Sequence, residues 1–161
     1  MRQREVLAAW QPRIHEICGG RIMRSATLHV TLVFLGNVAQ HRLEALKLVG
    51  QEAEGKSFDL SFDKAHYWGH NHIAYAATDI IPPQLLQLVH VLERLLNQHH
   101  FQFERREYKP HVTLLRNAKW NDVPLPEMNK VVWQVKNFAL LQSVPNDEGA
   151  HYRVLAKFRL H

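Results

Sequence analysis

The chain lacks the residues on which several common kinds of protein depend. Its 161 residues include one cysteine, Cys18, so no disulfide can form within the chain. This excludes disulfide-stabilised secreted domains and cysteine-rich zinc sites. The apolar runs are far shorter than the roughly 20 residues that a membrane helix requires. Neither a GxxxxGK[ST] loop nor a GxGxxG sequence is present, which excludes the common phosphate-binding loops. We therefore expect a cytoplasmic protein with no membrane partner.

Threonine is also scarce, and its placement is informative. The chain has 12 histidines and four threonines, and random placement of these residues predicts only about 0.3 His-x-Thr pairs. Two such pairs occur, both within the sequence HVTL, at His29–Leu32 and again at His111–Leu114. A rare sequence that appears once in each half of the chain predicts a duplicated half-site.

Both copies lie in apolar, β-branched runs, Leu28–Leu35 and His111–Leu115, which predict strands. Side chains of a strand alternate between faces, so the histidine and the threonine of each copy point the same way. Two such strands together would direct two imidazoles and two hydroxyls into one cleft. Imidazole, with a pKa of about 6.5, serves as acid or base near neutral pH. This set predicts acid–base chemistry at a phosphodiester without a metal or another cofactor.

The flanking residues extend both copies. The first reads HVTLVFLGNV from His29 to Val38, and the second reads KPHVTLLR from Lys109 to Arg116. Over nearly the whole chain the sequence resembles the two-histidine (2H) phosphoesterase superfamily, and within it the LigT-like RNA 2',3'-cyclic phosphodiesterases, also called 2'-5' RNA ligases. The resemblance implies a single bilobal α+β domain over residues 1–161. It also implies two antiparallel sheets with helices outside, and a central cleft that carries the motifs at 29–31 and 111–113.

The resemblance implies a function and a set of site residues. The reaction is hydrolysis of RNA 2',3'-cyclic phosphate ends to 2'-phosphates, with His29 and His111 as the acid–base pair. We favour His111 as the base and His29 as the acid, although the symmetry of the motifs hardly separates the roles. Thr31, Thr113 and Arg116 would bind the phosphate, Arg116 through its planar guanidinium. The implied partner is RNA with a cyclic phosphate end, with tRNA fragments among the candidates, and the net charge of +5 suits a polyanion.

Several alternatives stay open at this point. The same catalytic groups would serve 2'-5' RNA ligation or hydrolysis of a small cyclic nucleotide. A non-catalytic RNA-binding module on the same scaffold would be expected to have lost one His-x-Thr pair, and both are intact. Phe34 and Tyr108 are candidates for base stacking, with core packing the stronger alternative for Phe34. Arg116 has the alternative of a solvated strand end. We expect a monomer, because no apolar stripe is left over after the core is assigned.

The remaining pattern predicts the other elements. Helices are expected at 3–18, 41–51 and from Pro82-Pro83 to about residue 100. Strands are expected at 21–23, 58–68, 72–77, 101–103, 131–143 and 151–160, with a turn at Pro145–Gly149 and a loop at 117–130. LigT-like chains begin with a strand, whereas here a helix begins near Met1. We therefore expect either an upstream start or the loss of a strand, which would expose an edge beside the first motif.

Overall fold

The structure, a computed structural model, describes residues 2–146 and 149–161, without the side chains of Arg2, Asn146, Gly149 and Ala150. The fold is α+β, as predicted, with antiparallel sheets. The helices are α1 (Arg2–Cys18), α2 (Leu43–Glu52) and α3 (Pro83–Gln98). The strands are β1 (Arg21–Ile22), β2 (Phe58–Phe62), β3 (Lys64–Trp68), β4 (Ile73–Ala77), β5 (His111–Arg116), β6 (Val131–Val135), β7 (Asn137–Asn146) and β8 (Gly149–Arg159). None of these described helices has the length and apolar content of a membrane span.

The chain forms two compact units, and each unit is assembled from three separate segments. The first unit contains Met1–Thr31, Leu60–Ile80 and Pro110–Trp133. The second unit contains Leu32–Asp59, Ile81–Lys109 and Gln134–His161. The segments of the two units alternate along the chain, so β2 and β6 each begin in one unit and end in the other.

The first unit is built on a four-stranded sheet in the order β1-β5-β4-β3, with antiparallel neighbours throughout. Helix α1 packs against it with an apolar face formed by Leu7, Trp10, Ile14 and Cys18, all of them buried. This spacing of three and four residues places the four side chains on one side of a helix. The helix ends at Gly19 and Gly20, whose φ angles of 60° and 88° suit residues without a Cβ.

The second unit packs α2 and α3 together, with the β7–β8 hairpin against α2. Helix α3 begins at Pro83, where the missing amide proton costs nothing, and buries Leu85, Leu88, Val89, Leu92, Leu95 and Leu96. The hairpin pairs from Asn137↔Arg159 to Asn146↔Gly149. Gly50 of α2 lies under the Phe158 ring of β8, so a side chain there would collide with that ring.

Several predicted strands are wrong or divided. Neither Leu28–Leu35 nor Phe101–Phe103 is a strand, and both segments are irregular. Apolar, β-branched composition favours an extended backbone, but a strand also needs a partner edge, which local sequence does not supply. Residues 58–68 form two strands rather than one, and so does 131–143. Three sheets result instead of two, because β2 pairs with β6 alone. Part of the predicted turn at Pro145–Gly149, residues 147 and 148, lies outside the described residues.

Candidate active site

The residues of both His-x-Thr motifs lie in the first unit. That unit contains His29, Thr31, His111, Thr113 and Arg116. The two predicted stacking residues, Phe34 and Tyr108, belong to the second unit. Within residues 2–146 and 149–161, no three side chains of His, Cys, Asp or Glu are grouped as metal ligands would be.

Strand β5 presents the second motif, as predicted. Val112 and Leu114 are fully buried, whereas His111 and Thr113, on the opposite face, are half-buried. His111 lies across from Ala77 of β4, and Thr113 lies across from Tyr75. The register then shifts at a β-bulge, after which Leu115 pairs with Ala74 and is also buried. The bulge therefore ends the polar face of β5 after Thr113 and returns the strand to the core.

The first motif is held by a turn rather than by a strand. A short 3-10 helix at Ser25–Thr27 precedes it, and the Thr27 hydroxyl donates a hydrogen bond to the Arg24 carbonyl oxygen at 2.7 Å. Leu28 is buried, which anchors the chain beside His29. His29 Nδ1 lies 2.7 Å from the Thr27 carbonyl oxygen. Because a carbonyl oxygen only accepts hydrogen bonds, Nδ1 carries a proton, and Nε2 is left as the nitrogen that can take up or release one.

A single buried side chain ties the segment before the first motif to the strand of the second. Gln11 on α1 is only 3% exposed. Its Nε2 donates to the Met23 carbonyl oxygen at 2.8 Å and to the Leu114 carbonyl oxygen at 2.9 Å. The Met23 amide donates to the same Leu114 oxygen at 3.0 Å. These bonds fix the chain that leads to His29 against β5, whose first residue is His111.

Aromatic rings from β3 and β4 surround His111. The Trp68 ring centroid lies 4.7 Å from the His111 centroid, with the planes at 74°, and the Tyr75 centroid lies 5.5 Å away at 73°. Both are edge-to-face arrangements of the kind that aromatic pairs favour. Burial raises the pKa of Tyr75, so its phenol stays protonated. The sequence analysis missed both rings, because the pairing of β4 with β5 cannot be read from local pattern.

The remaining predicted residues have different surroundings. Arg116 ends β5 with an exposed side chain, and Thr31 is also exposed. Phe34 is 61% exposed, so the alternative of core packing is wrong for this residue. Tyr108 is half-buried, and burial raises the pKa of its phenol well above the usual value.

Comparisons with known proteins point in one direction. The family model of the 2'-5' RNA ligase superfamily matches residues 3–147. An Escherichia coli (strain K12) protein named RNA 2',3'-cyclic phosphodiesterase is 30% identical over 115 residues, which are 71% of this chain and 65% of that protein. The crystal structure of E. coli LigT complexed with 3'-AMP matches with a TM-score of 0.86 and 27% identity, over 99% of this chain and 91% of that one. The same protein complexed with phosphate matches with a TM-score of 0.82 and 25% identity, over 99% and 90%.

Proposed function

The chain belongs to the 2'-5' RNA ligase superfamily, a family of phosphoesterase enzymes, and we propose that it hydrolyses RNA 2',3'-cyclic phosphate ends to 2'-phosphates. The observation that carries the proposal is the presence of both His-x-Thr motifs in one compact unit, with their segments joined through Gln11. The name of the E. coli relative supports the reaction. The 3'-AMP and phosphate held by crystals of E. coli LigT support a substrate that combines nucleoside and phosphate.

In the proposed mechanism, the oxygen of a water molecule attacks the phosphorus in line with the bond to the 3' oxygen. The P–O3' bond breaks, while the P–O2' bond remains. One histidine takes a proton from the water, and the other gives a proton to the 3' oxygen as it leaves. Positioned proton transfers of this kind contribute on the order of 10²–10⁴ in rate.

We keep the acid role for His29 and the base role for His111. The carbonyl oxygen of Thr27 accepts from Nδ1 of His29 at 2.7 Å, which leaves the proton on Nε2 as the one to be transferred. Hydroxyls of Thr31 and Thr113 donate to the non-bridging oxygens, where negative charge increases in the transition state. The exposed guanidinium of Arg116 binds the same phosphate.

The wider setting is proposed on the same basis. The partner is RNA with a cyclic phosphate end, including tRNA fragments, and the net charge of +5 favours its approach at low salt. The enzyme acts in the cytoplasm as a monomer and needs no metal, since the two imidazoles supply both proton transfers.

The family name keeps a second reaction in view. Ligation to form a 2'-5' bond would use the same histidines, with a ribose hydroxyl in place of water and the reaction run in the opposite sense. Assays with cyclic-phosphate-ended RNA, free nucleoside cyclic phosphates, and pairs of RNA ends separate hydrolysis of RNA from hydrolysis of small cyclic nucleotides and from ligation.

The deciding experiment follows a short RNA that ends in a 2',3'-cyclic phosphate, with EDTA present. The wild type is compared with His29→Ala and His111→Ala, and with His90→Ala as a control, because His90 is an exposed histidine of α3 in the second unit. We expect a 2'-phosphate product from the wild type and the control, and a loss on the order of 10² or more in either motif variant. A wild type that binds the RNA but leaves its end intact would favour the binding-module alternative.

A further inference from the structure

The sheet face that carries His111 and Thr113 also carries aromatic residues that the mechanism does not use. Along β3, side chains alternate between faces, so His66 and Trp68 share one face. The register places His66 opposite Tyr75, and Tyr75 opposite Thr113. Thr113, Tyr75 and His66 therefore form one row across three strands, and Trp68 lies on the same face, two residues beyond His66.

These rings form a layered surface. The Trp68 and Tyr75 centroids are 3.9 Å apart, with the planes tilted by 33°. Tyr75 is the inner layer, at 9% exposure, and Trp68 is the half-exposed outer layer. The exposed His66 ring lies 5.8 Å from Tyr75 on the same face. An outer tryptophan held on a buried tyrosine presents a flat apolar surface whose orientation is already fixed.

We propose that Trp68, supported by Tyr75, is the platform on which the terminal nucleobase of the substrate stacks. The proposal rests on the proposed function, because it places the base beside the histidine that acts on the phosphate. The Trp68 and His111 centroids are 4.7 Å apart, and the base and the 2',3'-phosphate of one nucleotide are carried by the same ribose. One nucleotide therefore reaches from the motif residues to the tryptophan. Stacking needs only a π-face, so the platform accepts any unpaired base and favours purines through their larger area.

The platform differs from a clamp that only orients His111. A clamp would affect every substrate to the same extent, because it acts through the imidazole. A platform would affect only substrates that have a base. Comparing matched substrates with and without a base separates these two roles.

The test measures kcat/KM for adenosine 2',3'-cyclic phosphate and for the 2',3'-cyclic phosphate of 1-O-methylribose, which has no base. The variants are Trp68→Ala and Trp68→Phe. Trp120→Ala is the matched control, because Trp120 is a partly exposed tryptophan of the same unit whose ring contacts Tyr67, on the opposite face of β3. We expect Trp68→Ala to lower kcat/KM for the adenosine substrate on the order of 10-fold more than for the base-free substrate. Trp68→Phe should restore most of that difference, and Trp120→Ala should resemble the wild type.

Equal losses for both substrates in Trp68→Ala would overturn the platform and leave the clamp. If the wild type hydrolyses neither substrate, the proposed function fails, and the platform is then decided by binding alone. Calorimetric titration with AMP and with ribose 5-phosphate supplies that readout. The platform predicts that Trp68→Ala weakens binding of AMP and not of ribose 5-phosphate, and an equal effect on both ligands would refute it.

Discussion

Replacing Gln11 by methionine tests whether one buried amide holds the two motif segments together. Methionine has nearly the same volume and shape as glutamine, so packing of α1 is conserved while both hydrogen bonds are lost. The Leu114 oxygen keeps its bond from the Met23 amide, whereas the Met23 oxygen loses the donor at 2.8 Å. A lost buried hydrogen bond costs about 0.5–1.5 kcal/mol, and a stranded acceptor costs about 1–3 kcal/mol. We therefore expect the free energy of unfolding to fall by about 2–4 kcal/mol.

The assay is equilibrium unfolding in urea, with Gln87→Met as the control because Gln87 is exposed on α3. The control should change stability by less than about 0.5 kcal/mol. Phosphodiesterase activity of folded Gln11→Met should also fall, because the segment before His29 is no longer fixed to β5. A loss of stability below about 1 kcal/mol would mean that the amide contributes little, and full activity would show that it does not position the motifs.

Three further predictions concern single side chains. Gly20→Ala places a Cβ 2.6 Å from the Arg116 carbonyl oxygen at a φ of 88°, so it should cost at least about 2 kcal/mol more in urea unfolding than Gly19→Ala, which has open space and should cost about 1–2 kcal/mol; equal losses would refute the close approach. Because burial raises the pKa of Tyr108, the folded state keeps the proton that the unfolded state releases above about pH 10, so stability should fall as pH rises through that range, and Tyr108→Phe should flatten the fall. Cys18 is buried, and burial raises the pKa of its thiol, so it should react with a disulfide reagent at about pH 8 on the order of 10² more slowly in the native protein than in urea; similar rates would contradict its burial.

Sequence reasoning was most successful where local pattern determines local structure. The spacing of Leu7, Trp10 and Ile14 predicts α1, and Pro82-Pro83 predicts the start of α3, as the structure has them. Alternation along His111–Arg116 predicts the half-buried histidine and threonine of β5. These features depend on side-chain periodicity and on the fixed φ of proline, both of which are present in a short window of sequence.

Features that depend on tertiary pairing were missed. The segment after Leu28 has strand composition, but the chain passes from the first unit to the second between Thr31 and Leu32, and the structure assigns no strand there. The contact of Trp68 with His111 follows from the register of β3, β4 and β5, including a bulge. Gln11 looks like an ordinary helix residue, and only its burial reveals its two bonds. Whether the motif residues act as assigned remains a prediction for the proposed assays.

The alternation of the two units along the chain has a consequence for fragments. A cut between Ile80 and Ile81 would leave the first HVTL in one peptide and the second in the other, and each peptide would carry parts of both units. The repeated motif suggests two equivalent halves, yet neither half could fold into a complete unit alone. Peptides 1–80 and 81–161 should therefore be inactive separately and should regain activity only by complementation, since the compact units require segments from both.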